Sequence, residues 1–156
     1  MVKHTCCFTG HRKLPAKKIN TIVFKLNEAV ERLIQEGVTN FLCGGALGFD
    51  QIAASLIIAK KEMGYNIRLI MALPYKGQED LWTIKQKQLY RHLLDAADAI
   101  EYISESYTKD CLEKCNQYMI DESTYCICAL IREMSKIGKT VRYAKEKNRQ
   151  IINIAK

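Results

Sequence analysis

The sequence predicts a doubly wound α/β domain in which a mostly parallel sheet is flanked by helices on both faces. Short β-prone segments alternate along the chain with segments whose apolar residues recur every three or four positions, the period of an amphipathic helix. Strands joined by helices pair in parallel through right-handed crossovers. In such sheets the ligand crevice lies beyond the carboxyl ends of the strands, where the strand order reverses.

The strands are predicted from short runs of apolar and β-branched residues bounded by turn-forming residues. They are Thr5 to Phe8, Val38 to Cys43, Ile67 to Leu73, Asp98 to Ile103, Tyr125 to Ile131 and Gln150 to Ile154. Pro74 is expected to close the third strand.

The helices are predicted from the apolar periodicity between these strands. The first follows Pro15 and stops near Gly37, and the second ends at Gly64. The apolar positions that define the third and fourth helices are Leu81, Ile84, Leu89, Leu93 and Ala97, then Leu112, Cys115 and Met119. The last helix is predicted over Thr140 to Asn148, which leaves Lys139 in a loop.

Length and composition indicate one ordinary folded domain over residues 1–156, with 48% hydrophobic and 26% charged residues. The longest apolar runs are too short for a membrane span, and the first residues contain no apolar signal core. We therefore expect a cytoplasmic protein with no membrane partner. The sequence is compatible with a homo-oligomer.

The seven cysteines, an odd number, lie mostly within apolar runs, which favours the reduced, buried thiols of a cytosolic protein. A metal ion would need four thiolate ligands from two cysteine pairs, Cys111 with Cys115 and Cys126 with Cys128. Neither pair has the usual spacing of a structural zinc site. Apolar packing explains the strand cysteines. We therefore predict no metal site and no required cofactor.

Positive charge is concentrated near the carboxyl terminus. The formal net charge is +7, and the segment from Arg132 to Arg149 contains seven basic residues against two acidic ones. Such a local excess favours an anionic partner, either a small phosphorylated molecule or nucleic acid. The alternative is a solvated helix face, and it applies less to Lys139 if that residue lies in a loop.

The turn after the second strand is the strongest single indication of a binding site. Its candidate residues are Gly44, Gly45, Ala46, Gly48 and Asp50. Glycines between a strand and a helix allow backbone N–H groups to approach a phosphate, and the helix amino terminus adds partial positive charge. The spacing is not the G-x-G-x-x-G dinucleotide fingerprint. The alternative is a tight turn in which Asp50 caps the helix.

The turn after the first strand, Thr9-Gly10-His11-Arg12, follows the same logic. Arg12 can donate a pair of hydrogen bonds to phosphate oxygens. His11 is equally compatible with a ligand contact and with an exposed loop position. Trp82 and Tyr90 are both expected on the third helix, where packing is the favoured role for Tyr90, and Trp82 either packs or stacks on a base.

The combination of these segments resembles the SLOG superfamily, and in particular its YpsA-like branch. The matching segments are Thr9 to Arg12, Gly44 to Asp50, Pro74-Tyr75 with Gln78 and Trp82, Asn116 to Ser123, and Gly138-Lys139-Thr140. The resemblance spans nearly the whole chain and implies a Rossmann-like fold and a nucleotide-type ligand. The superfamily includes nucleotide-ligand sensors, Lonely Guy phosphoribohydrolases and the DNA-processing protein A. Matching its motifs adds Pro74, Asn116, Gly138, Lys139 and Thr140 to the candidate ligand-binding residues.

The sequence departs from the phosphoribohydrolases of that superfamily at their catalytic motif, P-G-G-x-G-T-x-x-E. The matching stretch places Tyr143 where the glutamate that assists N-glycosidic cleavage is expected. Cys115 replaces an arginine that precedes the matching asparagine, and lysine at 114 or 139 would not reproduce a guanidinium fork. The resemblance therefore favours a binding protein over an enzyme, and we assign no catalytic residue.

Three functions remain open at this stage. The favoured one is binding or sensing of a nucleotide or ADP-ribose-like ligand at the carboxyl edge of the sheet. The second is phosphoribohydrolase-like cleavage with Asp50, Asp121 or Glu122 in place of the missing glutamate. The third is weak binding of single-stranded nucleic acid through the basic segment.

Overall fold

The computed structural model describes residues 4–156, which form an α/β fold with six strands and five helices. The strands are β1 (Thr5–Gly10), β2 (Asn40–Cys43), β3 (Arg68–Tyr75), β4 (Ala99–Ser104), β5 (Tyr125–Ala129) and β6 (Gln150–Asn153). The helices are α1 (Ala16–Gln35), α2 (Phe49–Glu62), α3 (Ile84–Ala96), α4 (Cys111–Asp121) and α5 (Lys136–Glu146). The alternation of strands and helices predicted from the sequence is confirmed.

All strands pair in parallel in one sheet with the order β4-β3-β2-β1-β5-β6. The chain moves outward from β1 to β4 and then returns to place β5 on the other side of β1. The strand order therefore reverses between β1 and β5, and the loops that follow these two strands meet at the carboxyl edge.

The sheet is covered on both faces. Helices α1, α2 and α3 pack on one face against large apolar side chains such as Phe8, Phe41 and Leu69. Helices α4 and α5 pack on the other face, whose core contains smaller side chains such as Cys7, Ala72 and Cys126. Successive strand residues point to opposite faces, so adjacent residues such as Cys6 and Cys7 belong to different cores.

The main errors of the sequence prediction lie at element ends. Pro74 does not close β3, because the strand continues to Tyr75. The third helix begins only at Ile84, after a capping box between Thr83 and Gln86, so Leu81 precedes it and is exposed. Apolar periodicity alone cannot place such an end, since the capping side chains fix it.

Helix α5 also begins earlier than predicted. Ser135 is its N-cap, and its Oγ accepts a hydrogen bond of 3.1 Å from the Gly138 amide. Lys139 therefore lies in the first helical turn. Its predicted position in a loop was wrong. Gly138 is buried within that turn. No larger residue fits there, because a Cβ at this position would lie 1.9 Å from the carbonyl oxygen of Glu133.

All seven cysteines are free and buried. Cys115 donates to the carbonyl oxygen of Ala72 at 3.1 Å, and Cys43 donates to that of Asp50 at 3.0 Å. Among residues 4–156, no three His, Cys, Asp or Glu side chains are grouped as metal ligands would be. In the same part of the chain, no helix is both long enough and apolar enough to cross a bilayer.

Candidate functional site

The carboxyl edge of the sheet brings together the loops that follow β1, β2, β3 and β5. We call this region the carboxyl-edge crevice and define it by loop residues 11–15, 44–48, 76–83 and 130–135. The first and last of these loops flank the point where the strand order reverses. Open parallel sheets bind ligands at such points, because the loops on either side diverge and leave a gap.

Gly10 and His11, which the sequence suggested as ligand contacts, instead pack within the protein at the start of the β1–α1 loop. A Cβ on Gly10 would lie 2.4 Å from the Phe49 ring, so this glycine makes room for a core side chain. His11 is buried, and its Nε2 accepts hydrogen bonds from the amides of Ile131 (2.9 Å) and Arg132 (3.2 Å). The imidazole thus joins the loops after β1 and β5.

Burial lowers the pKa of His11, and the neighbouring charge of Arg132 lowers it further. Both effects favour the neutral ring, whose unprotonated Nε2 can accept the two amides. A protonated imidazole could not accept them. His11 therefore positions the β5–α5 loop, a role that the sequence alone did not indicate.

Arg12 differs from His11 because its side chain is exposed. Its backbone is closely packed, since a Cβ on Gly48 would lie 2.2 Å from the Arg12 carbonyl oxygen. The amide of Phe49 also donates to the His11 carbonyl oxygen at 3.2 Å. The β1–α1 and β2–α2 loops are therefore interlocked through their main chains, and the guanidinium of Arg12 is left at the surface of the crevice.

The β2–α2 loop takes its shape from glycines and from buried amide side chains. Gly45 and Gly48 have φ values of +75° and +86°, a conformation that favours glycine. Gln78 donates to the carbonyl oxygen of Gly44 at 3.1 Å, and Gln51 donates to that of Gly45 at 3.3 Å. Two carbonyl groups of the loop are thus turned toward the protein and satisfied there.

Gly45 faces the core beneath the loop. A Cβ at this position would lie 3.0 Å from Met71 Cε and 3.1 Å from both Leu73 Cδ2 and Tyr90 Cε1. Tyr90 is itself buried, and its hydroxyl accepts a hydrogen bond of 2.8 Å from Gln78. Trp82 is half-buried and packs edge-to-face on Tyr90 at 5.1 Å. Both aromatic residues therefore support the loop through packing.

Asp50 lies in the first turn of α2, whose N-cap is Gly48. It is not the helix cap considered from the sequence. Its Oδ2 accepts a hydrogen bond of 3.3 Å from the Ala46 amide, so the carboxyl group closes the loop of residues 44–48, which we call the glycine loop. Burial raises the pKa of Asp50 to about 7, although the Ala46 amide and the positive charge of Arg12 oppose that shift.

A groove lies between helices α4 and α5, which cover the other face of the sheet. This α4–α5 groove has a volume of about 330 Å³. Its lining includes four cationic side chains and two tyrosines, namely Lys109, Lys136, Lys139, Arg142, Tyr107 and Tyr143. Lys139 forms an ion pair with Glu113 at 3.1 Å. Tyr107 also contacts Tyr75 at the end of β3, with ring centroids 5.4 Å apart.

The predicted site residues divide between these regions. Arg12, Gly44, Gly45, Ala46 and Gly48 lie at the crevice, and Asp50 lies beneath them. Asn116, Lys139 and Thr140 line the α4–α5 groove. His11 is buried in the β1–α1 loop, where it binds the loop after β5. The remaining four, Thr9, Gly10, Pro74 and Gly138, are buried in strands or in the first turn of a helix.

Some residues that shape the two regions could not be assigned a role from the sequence. Gln51 was not identified as a loop support, although a polar residue within a buried helical turn is a usable signal. Tyr107 was also missed, because it lies in a polar loop and meets the groove only through the tertiary fold. Tyr143 was noticed only as a replacement for glutamate, and its hydroxyl donates to Asp121 at 2.8 Å.

These features define a Rossmann-like α/β protein with its candidate site at the carboxyl edge of a six-stranded parallel sheet. The chain belongs to the YspA SLOG family, whose profile matches residues 6–154. The resemblance inferred from the sequence motifs is confirmed.

The relatives of the chain include two groups of uncharacterised bacterial proteins. The SPbeta prophage-derived protein YoqJ of Bacillus subtilis is 29% identical over 144 residues, which cover 81% of this chain and 84% of YoqJ. The UPF0398 protein BH1768 of Halalkalibacterium halodurans is 36% identical over 72 residues, or 46% of this chain and 38% of that protein. The chain therefore matches less than half of this second relative.

Two solved structures of DNA processing protein A share the fold. The protein from Streptococcus pneumoniae superposes with a TM-score of 0.68 and 15% identity, covering 96% of this chain and 49% of that one. The protein from Helicobacter pylori, described with a single-stranded DNA binding mode, superposes with a TM-score of 0.65 and 18% identity. The match covers 94% of this chain and 63% of that one. Since the chain spans only part of both proteins and shares little sequence with them, these likenesses establish the fold alone.

Proposed function

We propose that the chain binds a nucleotide or nucleotide-derived ligand, such as an ADP-ribose-like compound, in the carboxyl-edge crevice. The observation that carries this proposal is the interlocking of the Arg12 and Gly48 main chains beneath an exposed Arg12 side chain. A loop that is already fixed loses little entropy when it binds a ligand, and the guanidinium is free to form charge-assisted hydrogen bonds. Membership of the SLOG family supports a nucleotide-type ligand.

In this proposal, the glycine loop and the amino terminus of α2 contact a phosphate, and Arg12 contacts the same group from the facing loop. The carbonyl groups of Gly44 and Gly45 are bound by Gln78 and Gln51. Because the two carbonyl oxygens are turned toward the protein, they do not repel an anion that approaches the loop. The N–H groups and the dipole at the amino terminus of a helix then favour an anion.

Ligand-induced thermal stabilisation tests the proposal directly. A compound that binds only the native state raises the melting temperature, and the rise increases with the logarithm of its concentration relative to its Kd. We expect ADP-ribose or a nucleoside phosphate in a panel to produce such a rise. No response to any nucleotide-type compound at millimolar concentration would contradict the proposal.

The residue assignment is tested by Arg12→Ala. Loss of a charge-assisted contact to phosphate is expected to weaken binding about ten- to a hundredfold in calorimetry. Lys13→Ala is the matched control, since Lys13 is an exposed cation in the same loop. Unchanged affinity of Arg12→Ala, or equal weakening in both variants, would remove Arg12 from the site.

The α4–α5 groove favours a second candidate function, weak binding of single-stranded nucleic acid. Four cationic side chains and two tyrosines line the same groove, although the sequence segment itself does not interleave aromatic with basic residues. Cations bind the phosphate backbone and aromatic rings stack on bases. The single-stranded DNA binding of the Helicobacter pylori protein is consistent with this proposal. Affinity is expected to fall steeply with salt, and a salt-insensitive complex would contradict it.

The third function, phosphoribohydrolase activity, receives less support. Tyr143 occupies the position of the expected glutamate, and its hydroxyl is hydrogen-bonded to Asp121. A phenol in this arrangement is a poor substitute for a carboxylate that stabilises positive charge. We expect no release of ribose 5-phosphate from a nucleoside monophosphate, and release that a site substitution abolishes would overturn this expectation.

A further inference from the structure

Asp50 is a buried carboxyl group with few partners. The residue is 8% exposed, and the hydrogen bond from the Ala46 amide to Oδ2, at 3.3 Å, is long. Among residues 4–156, the ion pairs do not involve Asp50. A buried carboxylate normally needs several donors or a close cation. Asp50 therefore lies in surroundings that favour its protonated form.

Charged and titratable groups face Asp50 from three elements. Arg12 approaches from the β1–α1 loop, Cys43 from the end of β2, and Cys115 from α4. Burial and the nearby Asp50 raise the pKa of both thiols, that of Cys115 to about 12, so both remain uncharged near neutral pH. Arg12 is thus the only cation of this set, and its charge favours the Asp50 carboxylate.

We propose that ligand binding in the carboxyl-edge crevice is coupled to the uptake of one proton by Asp50. This inference rests on the proposed function, in which Arg12 binds a phosphate. A phosphate on Arg12 neutralises the cation that favours the carboxylate and adds negative charge to the same crevice. Both changes favour protonation, so a carboxylate oxygen of Asp50 takes a proton from the solvent and becomes neutral.

The consequence is a pH-dependent affinity with a defined direction. In the protein without ligand the pKa of Asp50 is about 7. The carboxyl group is therefore partly ionised at neutral pH and can take up a proton when the ligand binds. Affinity then rises as the pH falls toward 7 and decreases by up to about tenfold per pH unit above it. A site that binds phosphate without this coupling would show no such slope.

The test uses ADP-ribose, because its two phosphates lack the acidic proton with which a phosphate monoester titrates near pH 6. Calorimetric titrations at pH 7.5 in Pipes and in Tris, buffers with different enthalpies of ionisation, measure the protons exchanged. We expect an uptake of about 0.5–0.7 proton per ligand for the wild type. Asp50→Asn is expected to bind with no uptake. Asp95→Asn, which changes an exposed carboxyl group on α3 outside the crevice, is expected to retain the uptake.

The outcomes separate the two proposals. Absence of binding by ADP-ribose and by every other nucleotide-type compound of the panel would overturn the proposed function together with this inference. Binding without proton uptake would overturn this inference alone, and uptake that persists in Asp50→Asn would assign the proton to another group, such as His11. If Asp50→Asn fails to fold, the carboxyl carbon resonance of Asp50 in the wild type decides. The midpoint of its titration is expected near pH 7 without ligand and at a higher pH with ADP-ribose. A midpoint near pH 4 both with and without ADP-ribose would contradict the inference.

Discussion

In the carboxyl-edge crevice the main chain is held by buried side chains, whereas in the α4–α5 groove exposed side chains form most of the lining. Gln51, Gln78 and Asp50 all hydrogen-bond to the glycine loop from within the protein. Lys139 in the groove forms its ion pair with Glu113 while 64% of its side chain is exposed. The first region is preorganised by packing, and the second acts mainly through charge.

This difference has consequences for mutation. Substitutions of the buried residues that support the crevice are expected to affect folding and binding together, because the same atoms support the loop and shape the site. Substitutions in the groove are expected to affect binding with little effect on folding, because exposed ion pairs contribute little stability. Each of the following variants tests one side of this contrast.

The largest effect is expected from Gly48→Ala. An added Cβ would lie 2.2 Å from the Arg12 carbonyl oxygen, and the φ of +86° is unfavourable for alanine. We expect a loss of about 3–5 kcal/mol in the free energy of unfolding, measured by denaturant titration. Gly64→Ala is the control, since its φ is +101° but no atom lies within 4 Å. Equal losses in the two variants would show that the loops are not interlocked.

Asp50→Asn is expected to stabilise the protein at high pH. The pKa of Asp50 is raised from 3.8 to about 7 by folding, so this group stabilises the fold most below pH 4 and loses that contribution as the pH rises to 7. The difference in unfolding free energy between variant and wild type is expected to move in favour of the variant by about 2–3 kcal/mol between pH 5 and pH 8. A constant difference would show that Asp50 ionises normally. Asp80→Asn, at an exposed site, is expected to have little effect at either pH.

Gln78→Ala is expected to lower the unfolding free energy by about 1–3 kcal/mol. The substitution leaves the Gly44 carbonyl oxygen without its side-chain donor and removes the partner of the Tyr90 hydroxyl. Gln88→Ala, at an exposed position of α3, is expected to change stability by less than about 0.5 kcal/mol. A similarly small change in Gln78→Ala would indicate that the loop does not depend on this side chain.

The sequence predicted the fold well because its helical segments have strong apolar periodicity and because, as far as Gly77, glycines mark the connections between strands and helices. It located the crevice through Gly44 to Asp50, but it could not assign the glycines their individual roles. Gly10 and Gly45 face core side chains, and only tertiary contacts reveal this. His11 was ambiguous for a similar reason, since the amides it accepts from lie some 120 residues away in the chain. The α4–α5 groove was missed as a unit because its lining comes from separate segments.

The smallest effect on stability is expected from Lys139→Gln. Its ion pair with Glu113 is largely exposed, so the loss in unfolding free energy is expected to stay within about 0.5 kcal/mol. If the groove binds single-stranded DNA and Lys139 contacts a phosphate, the slope of log affinity against log salt concentration is expected to decrease by about 0.7. Lys87→Gln on α3 is the control, because that exposed lysine lies on a helix of the other sheet face. Equal changes of slope in both variants would mean that DNA binds to the general positive charge of the protein and not to the groove. A large loss of stability in Lys139→Gln would contradict the contrast between the two regions, because it would show that the groove is also held together by its side chains.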